Sequence, residues 1–217
     1  MLESSEQRMP SFDVARPFGF VRRDAARYFA LDSRTGHPAL PEKIRIFFDS
    51  PGWQTLLVYR YGAWVNRAVR FKLFRYPLKF LHYLLQKLCI ICWGIYIDDG
   101  ARIGPGLYIG HFGGIIIGPV QIGRDCNIAH QVTLGQRADG VPGVPTIGDR
   151  VWIGVGAVIF GNVRIGDGVT IGPYTVVSRN LPPKVLVIGN PMRVLRKDYD
   201  NTSSIYGARF SNGPVDV

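Results

Sequence analysis

The sequence predicts a mainly β protein, a parallel β-helix of six-residue repeats preceded by a small α-helical region. Three observations carry that reading. Aliphatic residues recur every six positions from Ile97 to Val177, glycine follows the aliphatic residue in eight of thirteen repeats, and apolar residues before Ile97 are spaced by three and four instead. With 217 residues, of which 47% are apolar and 19% charged, the chain can bury its own core and is too apolar for a solvated tail.

Residues 1–36 are polar and aperiodic and read as an N-terminal arm. Residues 37–95 read as helical. Leu57, Tyr61, Trp64, Val65 and Ala68 form one apolar stripe, Leu78, Leu81, Leu84, Leu85 and Leu88 a second, and Pro77 is the expected break between two helices. The run from Phe80 to Ile97 is nearly all apolar, but Lys87 interrupts it and Lys79 and Arg75 flank it. A spanning helix needs roughly 20 apolar residues with few charges, so packed helices, or a helix lying on a membrane surface, fit better.

Residues 96–182 read as the β-helix, and 183–217 as a C-terminal segment and tail. The beat falls on Ile97, Ile103, Ile109, Ile115, Ile122, Ile128, Leu134, Ile147, Ile153, Ile159, Ile165, Ile171 and Val177. Each repeat supplies a short strand and a corner, three close a coil, and the aliphatic residue points inward. Stacked coils bury one continuous column. Two breaks interrupt the beat. Seven residues separate Ile115 from Ile122, and thirteen separate Leu134 from Ile147, where the loop QRADGVPGVPT is pushed out of the prism.

Charge is uneven. Residues 1–96 hold fifteen Lys/Arg against seven Asp/Glu, and Ser50–Tyr96 holds seven basic residues and no acidic one. That favours an anionic partner. No zinc-finger spacing or RNP motif is present, so nucleic acid is not expected, and a membrane surface or a phosphate-bearing substrate is. The three cysteines, an odd number, build no disulfide framework. The opening residues MLESSEQRMPSF lack a secretory pattern, so a cytoplasmic location is expected.

The segments IDDGARIGPGLYIGHFGGIIIG, NIAHQVTLG, PTIGDRVWIGVGAVIFGNVRIGDGVTIGPYTVV and GNPMRVL resemble the hexapeptide-repeat acyltransferases similar to serine O-acetyltransferase, over about residues 37–197, and the helical section followed by the His of IGHFGG resembles most the members that acetylate polysaccharides or sugars. The resemblance implies a left-handed coil, a homotrimer, and acetyl-CoA as acyl donor in a groove between prisms; no metal is expected, because only His111 and His130 lie in the prism and no H-x4-H is present. It places the family's catalytic base on His111, which would take the acceptor hydroxyl proton, with backbone N–H groups at glycine-rich corners meeting the oxyanion. His111 and His130 are each third in their repeats, so they fall on one face a coil apart, roughly 4.8 Å by strand spacing. His130 then orients His111, binds the acceptor or fills a corner.

The acceptor positions depart from the family. Its two serine-binding Asp residues fall on Gly110 and His37, the Asp that partners the catalytic His on Tyr96, and a second family His on Val144. Asp98, or Asp99, stands near enough in sequence to replace that partner. Without the two carboxylates, the expected acceptor is a sugar hydroxyl of a capsule or exopolysaccharide precursor. If lipid-linked, such an acceptor would explain the basic segment through peripheral contact with the inner face of the cytoplasmic membrane. Serine acetylation in cysteine biosynthesis is the alternative, followed by a non-catalytic scaffold or a zinc carbonic-anhydrase-like protein. For the donor, the matching positions are Gly135, Gly154, Gly156, Ala157, Thr175, Arg193, Arg196 and Lys197. Small residues admit a pantetheine arm and cations suit its phosphates.

Overall fold

The computed structural model describes residues 17–33, 38–136 and 143–207. Four helices, α1 (Pro17–Asp32), α2 (Leu40–Asp49), α3 (Pro51–Ala68) and α4 (Lys72–Trp93), lead into a solenoid of short strands. One face stacks β1 (Ile95–Ile97), β4 (Ile115–Ile117), β7 (Thr133–Gly135), β10 (Val158–Phe160) and β13 (Val176–Val177). A second stacks β2 (Arg102–Ile103), β5 (Gln121–Ile122), β8 (Thr146–Ile147) and β11 (Arg164–Ile165). The third stacks β3 (Tyr108–Ile109), β6 (Asn127–Ile128), β9 (Trp152–Ile153), β12 (Thr170–Ile171), β14 (Leu186–Ile188) and, antiparallel at its end, β15 (Arg193–Arg196).

All thirteen beat residues are buried. The register moves one of them, however. Ile97, Ile117, Leu134, Ile159 and Val177 form one column, so Ile117 carries the beat and Ile115 pairs with Ile95 two positions earlier. The irregularity is therefore two extra residues in the corner after Ile109 and one fewer before Ile122, not a single insertion after Ile115. The enlarged corner is His111–Gly114, where His111, Gly113 and Gly114 all have positive φ.

The helices also differ from the sequence reading. Pro77 lies inside α4, and the break falls at Val69–Phe71 instead. As the sixth residue of α4, Pro77 forfeits one i→i−4 hydrogen bond, to the Leu73 carbonyl, and the helix continues through it. Gly94, at φ +62, ends α4, donating its N–H to the Ile90 carbonyl.

Helix α1 belongs to the packed body. Asp24 is fully buried against Arg60, whose Nε donates to Asp24 Oδ2 at 2.9 Å and whose Nη1 and Nη2 donate to the Ile103 and Gly104 carbonyls. Burial holds the Asp24 carboxyl above the usual range, with the Arg60 guanidinium acting against it. Arg23 donates to both oxygens of Asp125, which also accepts the Tyr206 hydroxyl. Through Tyr206 the short α5 (Thr202–Tyr206) returns to its own prism.

Candidate active site

The corner after β3 sets His111 outside the coil. Its φ of +67 is uncommon for a residue with a Cβ, and such strain recurs at functional positions. Because Ile109 pairs with Ile128, the imidazole of His111 stands beside that of His130, ring centroids 5.8 Å apart and planes at 82°. The Nδ1 of His130 is buried without a hydrogen-bond partner among the described residues.

His111 opens onto a cavity of about 380 Å³ between the helices and β3. Asp32 from α1, Arg45 and Asp49 from α2, Ser50, Tyr28 and Tyr108 share its lining. The chain folds this way because Ser50–Pro51–Gly52 starts α3 against the strand. A Cβ on Gly52 would sit 2.3 Å from the Ile109 carbonyl oxygen, so only glycine permits the approach.

The wall opposite is a fixed polar and aromatic frame. Tyr28 stacks on Trp53 with centroids 5.6 Å apart, and its hydroxyl accepts the Ile109 N–H at 2.9 Å. Asp32 accepts the Tyr108 hydroxyl at 2.7 Å and the Ser50 hydroxyl at 2.9 Å. Burial, with the Asp32 charge adding to it, pushes the Tyr108 phenol well up, so it remains a donor. Arg45 lies 3.8 Å from Glu42 and is half exposed, and Asp49 is exposed at the mouth. One fixed carboxylate, one exposed carboxylate and a guanidinium thus share a cavity with one imidazole.

Of the residues expected from sequence, His111 and His130 come together. Tyr96 and Asp98 do not join them: the Tyr96 hydroxyl donates to Asp98 at 2.9 Å, Asp98 also accepts the Gly100 N–H, and neither lines the cavity. Gly110 leaves room for Tyr108, whose ring would lie 3.1 Å from a Cβ there. His37 lies outside the described residues. Ala157 and Thr175 are fully buried, and the Thr175 hydroxyl donates to the Gly172 carbonyl, so neither side chain can meet an acyl donor. Gly154 and Gly156 are held by coil packing, against the Ile171–Pro173 backbone and the Tyr174 ring. Gly135 faces open space, and Arg193, Arg196 and Lys197 are exposed on and just after β15. Sequence reasoning missed Asp32, Arg45 and Asp49, because they reach the site from helices that no spacing tied to it. Among the described residues no group of three or more His, Cys, Asp or Glu could hold a metal ion.

The family model "Bacterial transferase hexapeptide (six repeats)" matches residues 145–179, which makes the coil a left-handed β-helix. The serine acetyltransferase of Helicobacter pylori is 36% identical over 164 residues, 74% of this chain and 91% of that protein. That of Mycobacterium tuberculosis is 34% identical, over 75% of this chain and 69% of that one. The Synechococcus elongatus enzyme is also 34% identical, over 73% of this chain but only 62% of its own length. The chain therefore spans less than two thirds of some relatives. The Neisseria gonorrhoeae serine acetyltransferase in complex with serine superposes with a TM-score of 0.65 at 30% identity, covering 82% of this chain and 68% of that one. These relatives overturn the polysaccharide acceptor expected from sequence. That expectation rested on two missing carboxylates and on the likeness of the IGHFGG segment to sugar-acetylating members, whereas these relatives are serine acetyltransferases and the cavity contains two other carboxylates. By these identities and coverages, the chain belongs to the serine acetyltransferase family.

Proposed function

We propose that the chain is an acetyl-CoA-dependent O-acetyltransferase whose acceptor is the hydroxyl of serine or of a similarly small amino acid. One observation carries the reading: the His111 imidazole shares its cavity with Asp32, Arg45 and Asp49. A zwitterion needs a cation for its carboxylate and an anion for its ammonium. Arg45 and Asp49 supply the pair, and Asp32, already committed to Tyr108 and Ser50, holds the wall.

His111 takes the proton of the acceptor hydroxyl as its oxygen bonds to the thioester carbonyl carbon. Backbone N–H groups of the Gly113–Gly114 corner meet the resulting oxyanion. The carbon–sulfur bond then breaks, and His111 returns the proton to the departing thiolate. Acetyl-CoA, when bound, supplies the thioester. The open face at Gly135 and the cations Arg193, Arg196 and Lys197 fit its arm and phosphates. The reading includes a homotrimer with the donor between prisms, at work in the cytoplasm and in peripheral contact with the membrane's inner face.

Thiol release from acetyl-CoA with L-serine tests it. The expected result is turnover that falls by a factor on the order of 10² to 10⁴ in His111→Ala. Absence of serine-dependent thiol release from the intact chain, or undiminished release by His111→Ala, overturns it.

A further inference from the structure

Helix α4 packs one side against α3 and β1 and leaves the other bare. Its buried side chains are His82 and Cys89. Opposite them run Leu73, Phe80, Leu84, Leu88 and Ile91, with Leu73 80% and Ile91 77% exposed. The spacings of seven, four, four and three place these five on one stripe of the helix. Tyr76 and Tyr83 border that stripe and are also exposed. So large an apolar surface marks an interaction site.

The charges on the helix select the partner. Lys72, Arg75, Lys79 and Lys87 lie on α4, and neither α3 nor α4 contains an Asp or Glu. Lys72, Lys79 and Lys87 recur at seven and eight residues, so they form a row along one flank of the stripe. Lys87 also stands over the Tyr83 ring, 5.4 Å from its centroid. Pairing the outer faces of two copies would set cations against cations with no carboxylate between them. Anionic headgroups would neutralise the same row while the stripe enters the acyl boundary. Twenty-two residues make a helix about 33 Å long, but no helix among the described residues is long and apolar enough to cross a membrane.

We infer that the outer face of α4 is an interfacial anchor that lays the protein on an anionic phospholipid bilayer. The inference deepens the peripheral contact named above by assigning it a surface and a lipid charge, and it does not depend on the acceptor.

The test is flotation of the full chain with vesicles of phosphatidylcholine alone or with one third phosphatidylglycerol, at low and high salt. Light scattering of the free protein gives its mass. The expected result is flotation with the anionic vesicles, weakened by salt and little with the neutral ones. Lys79→Glu with Lys87→Glu should weaken it by about tenfold or more, and Phe80→Ser with Leu84→Ser should abolish it, both with the mass unchanged. Equal flotation with both vesicle types, or none, overturns the anchor without touching the acetyltransfer reading. So does a change of oligomeric mass in either variant, which would make the face a subunit contact. The wild-type comparison stands even if a variant fails to fold.

Discussion

His111 stands one coil from His130, the two rings edge to face with centroids 5.8 Å apart, and the His130 Nδ1 is buried with no hydrogen-bond partner among the described residues. The pairing follows from the match of Ile109 with Ile128, which stacks the third residues of two repeats. Tyr96 and Asp98 bond to each other, and the ring in contact with His111 is that of His130, so we propose His130 as the group that positions His111. His130→Ala should lower kcat with serine by about tenfold, less than His111→Ala, with KM for acetyl-CoA little changed. Steady-state kinetics with both substrates varied would show it. Equal losses in the two variants would mean that His130 itself exchanges the proton.

The backbone of His111 predicts a separation of stability from activity. At φ +67 a Cβ is strained by about 1 kcal/mol, and glycine is not. His111→Gly should therefore be inactive yet more resistant to denaturant than His111→Ala by about 1 kcal/mol. Unfolding curves of the two variants, compared at equal slope, measure the difference.

The acceptor pocket predicts selective losses with truncated acceptors. Asp49→Asn should raise KM for serine by about tenfold and leave N-acetylserine, which lacks the ammonium, unaffected. Arg45→Met should do the same for serine and spare serine methyl ester. Since both side chains are exposed at the mouth, neither change should lower the melting temperature appreciably. Parallel losses on all acceptors would show that the two residues support the wall instead of reading the substrate.

The column of aliphatic residues was legible because an inward position every six residues needs only local sequence. Ile115 misled because it too is fully buried, in the slot two positions before the beat, and a pattern of hydrophobicity cannot tell two buried slots apart. The packing of helix α1 was not legible. Asp24 and Arg27 look like solvent residues in sequence, yet each is buried by a partner far along the chain, Arg60 for one and Asn127 for the other. The same holds for Asp32 and Asp49. The family's two carboxylate positions are Gly110 and His37 in this chain, and the carboxylates of the pocket come instead from helices that tertiary packing brings to it.

The Asp24–Arg60 pair joins α1, α3 and the corner after β2 with both charges out of water. Asp24→Ala leaves the guanidinium buried and unpaired, and it should cost about 3–5 kcal/mol. Asp24→Leu combined with Arg60→Leu removes both charges and should cost less than Asp24→Ala alone. A double-mutant cycle by urea denaturation decides. If the double variant is the weaker, the carbonyl bonds of Arg60 to Ile103 and Gly104 matter more than its pairing with Asp24.

His82 gives the fold a weakness to acid. Its imidazole is wedged between α4 and α3, where a Cβ on Gly62 would lie 2.2 Å from Nε2, and among the described residues that nitrogen has no hydrogen bond. Burial lowers its pKa below the ordinary 6.5, Asp99 at 3.8 Å raises it in part, and Lys79 lowers it further. In the unfolded chain His82 gains a proton as pH falls through about 6.5, whereas in the folded chain it resists. The unfolded state therefore binds more protons in that window, so stability present above pH 6.5 is lost as pH falls below it. The denaturant midpoint should drop between pH 7 and pH 5, and His82→Gln, which cannot take a proton, should flatten that drop whatever its constant offset. Asp99→Asn should steepen it, because the one charge that favours the imidazolium in the fold is then gone. An unchanged slope in His82→Gln would show that the acid sensitivity does not come from this imidazole.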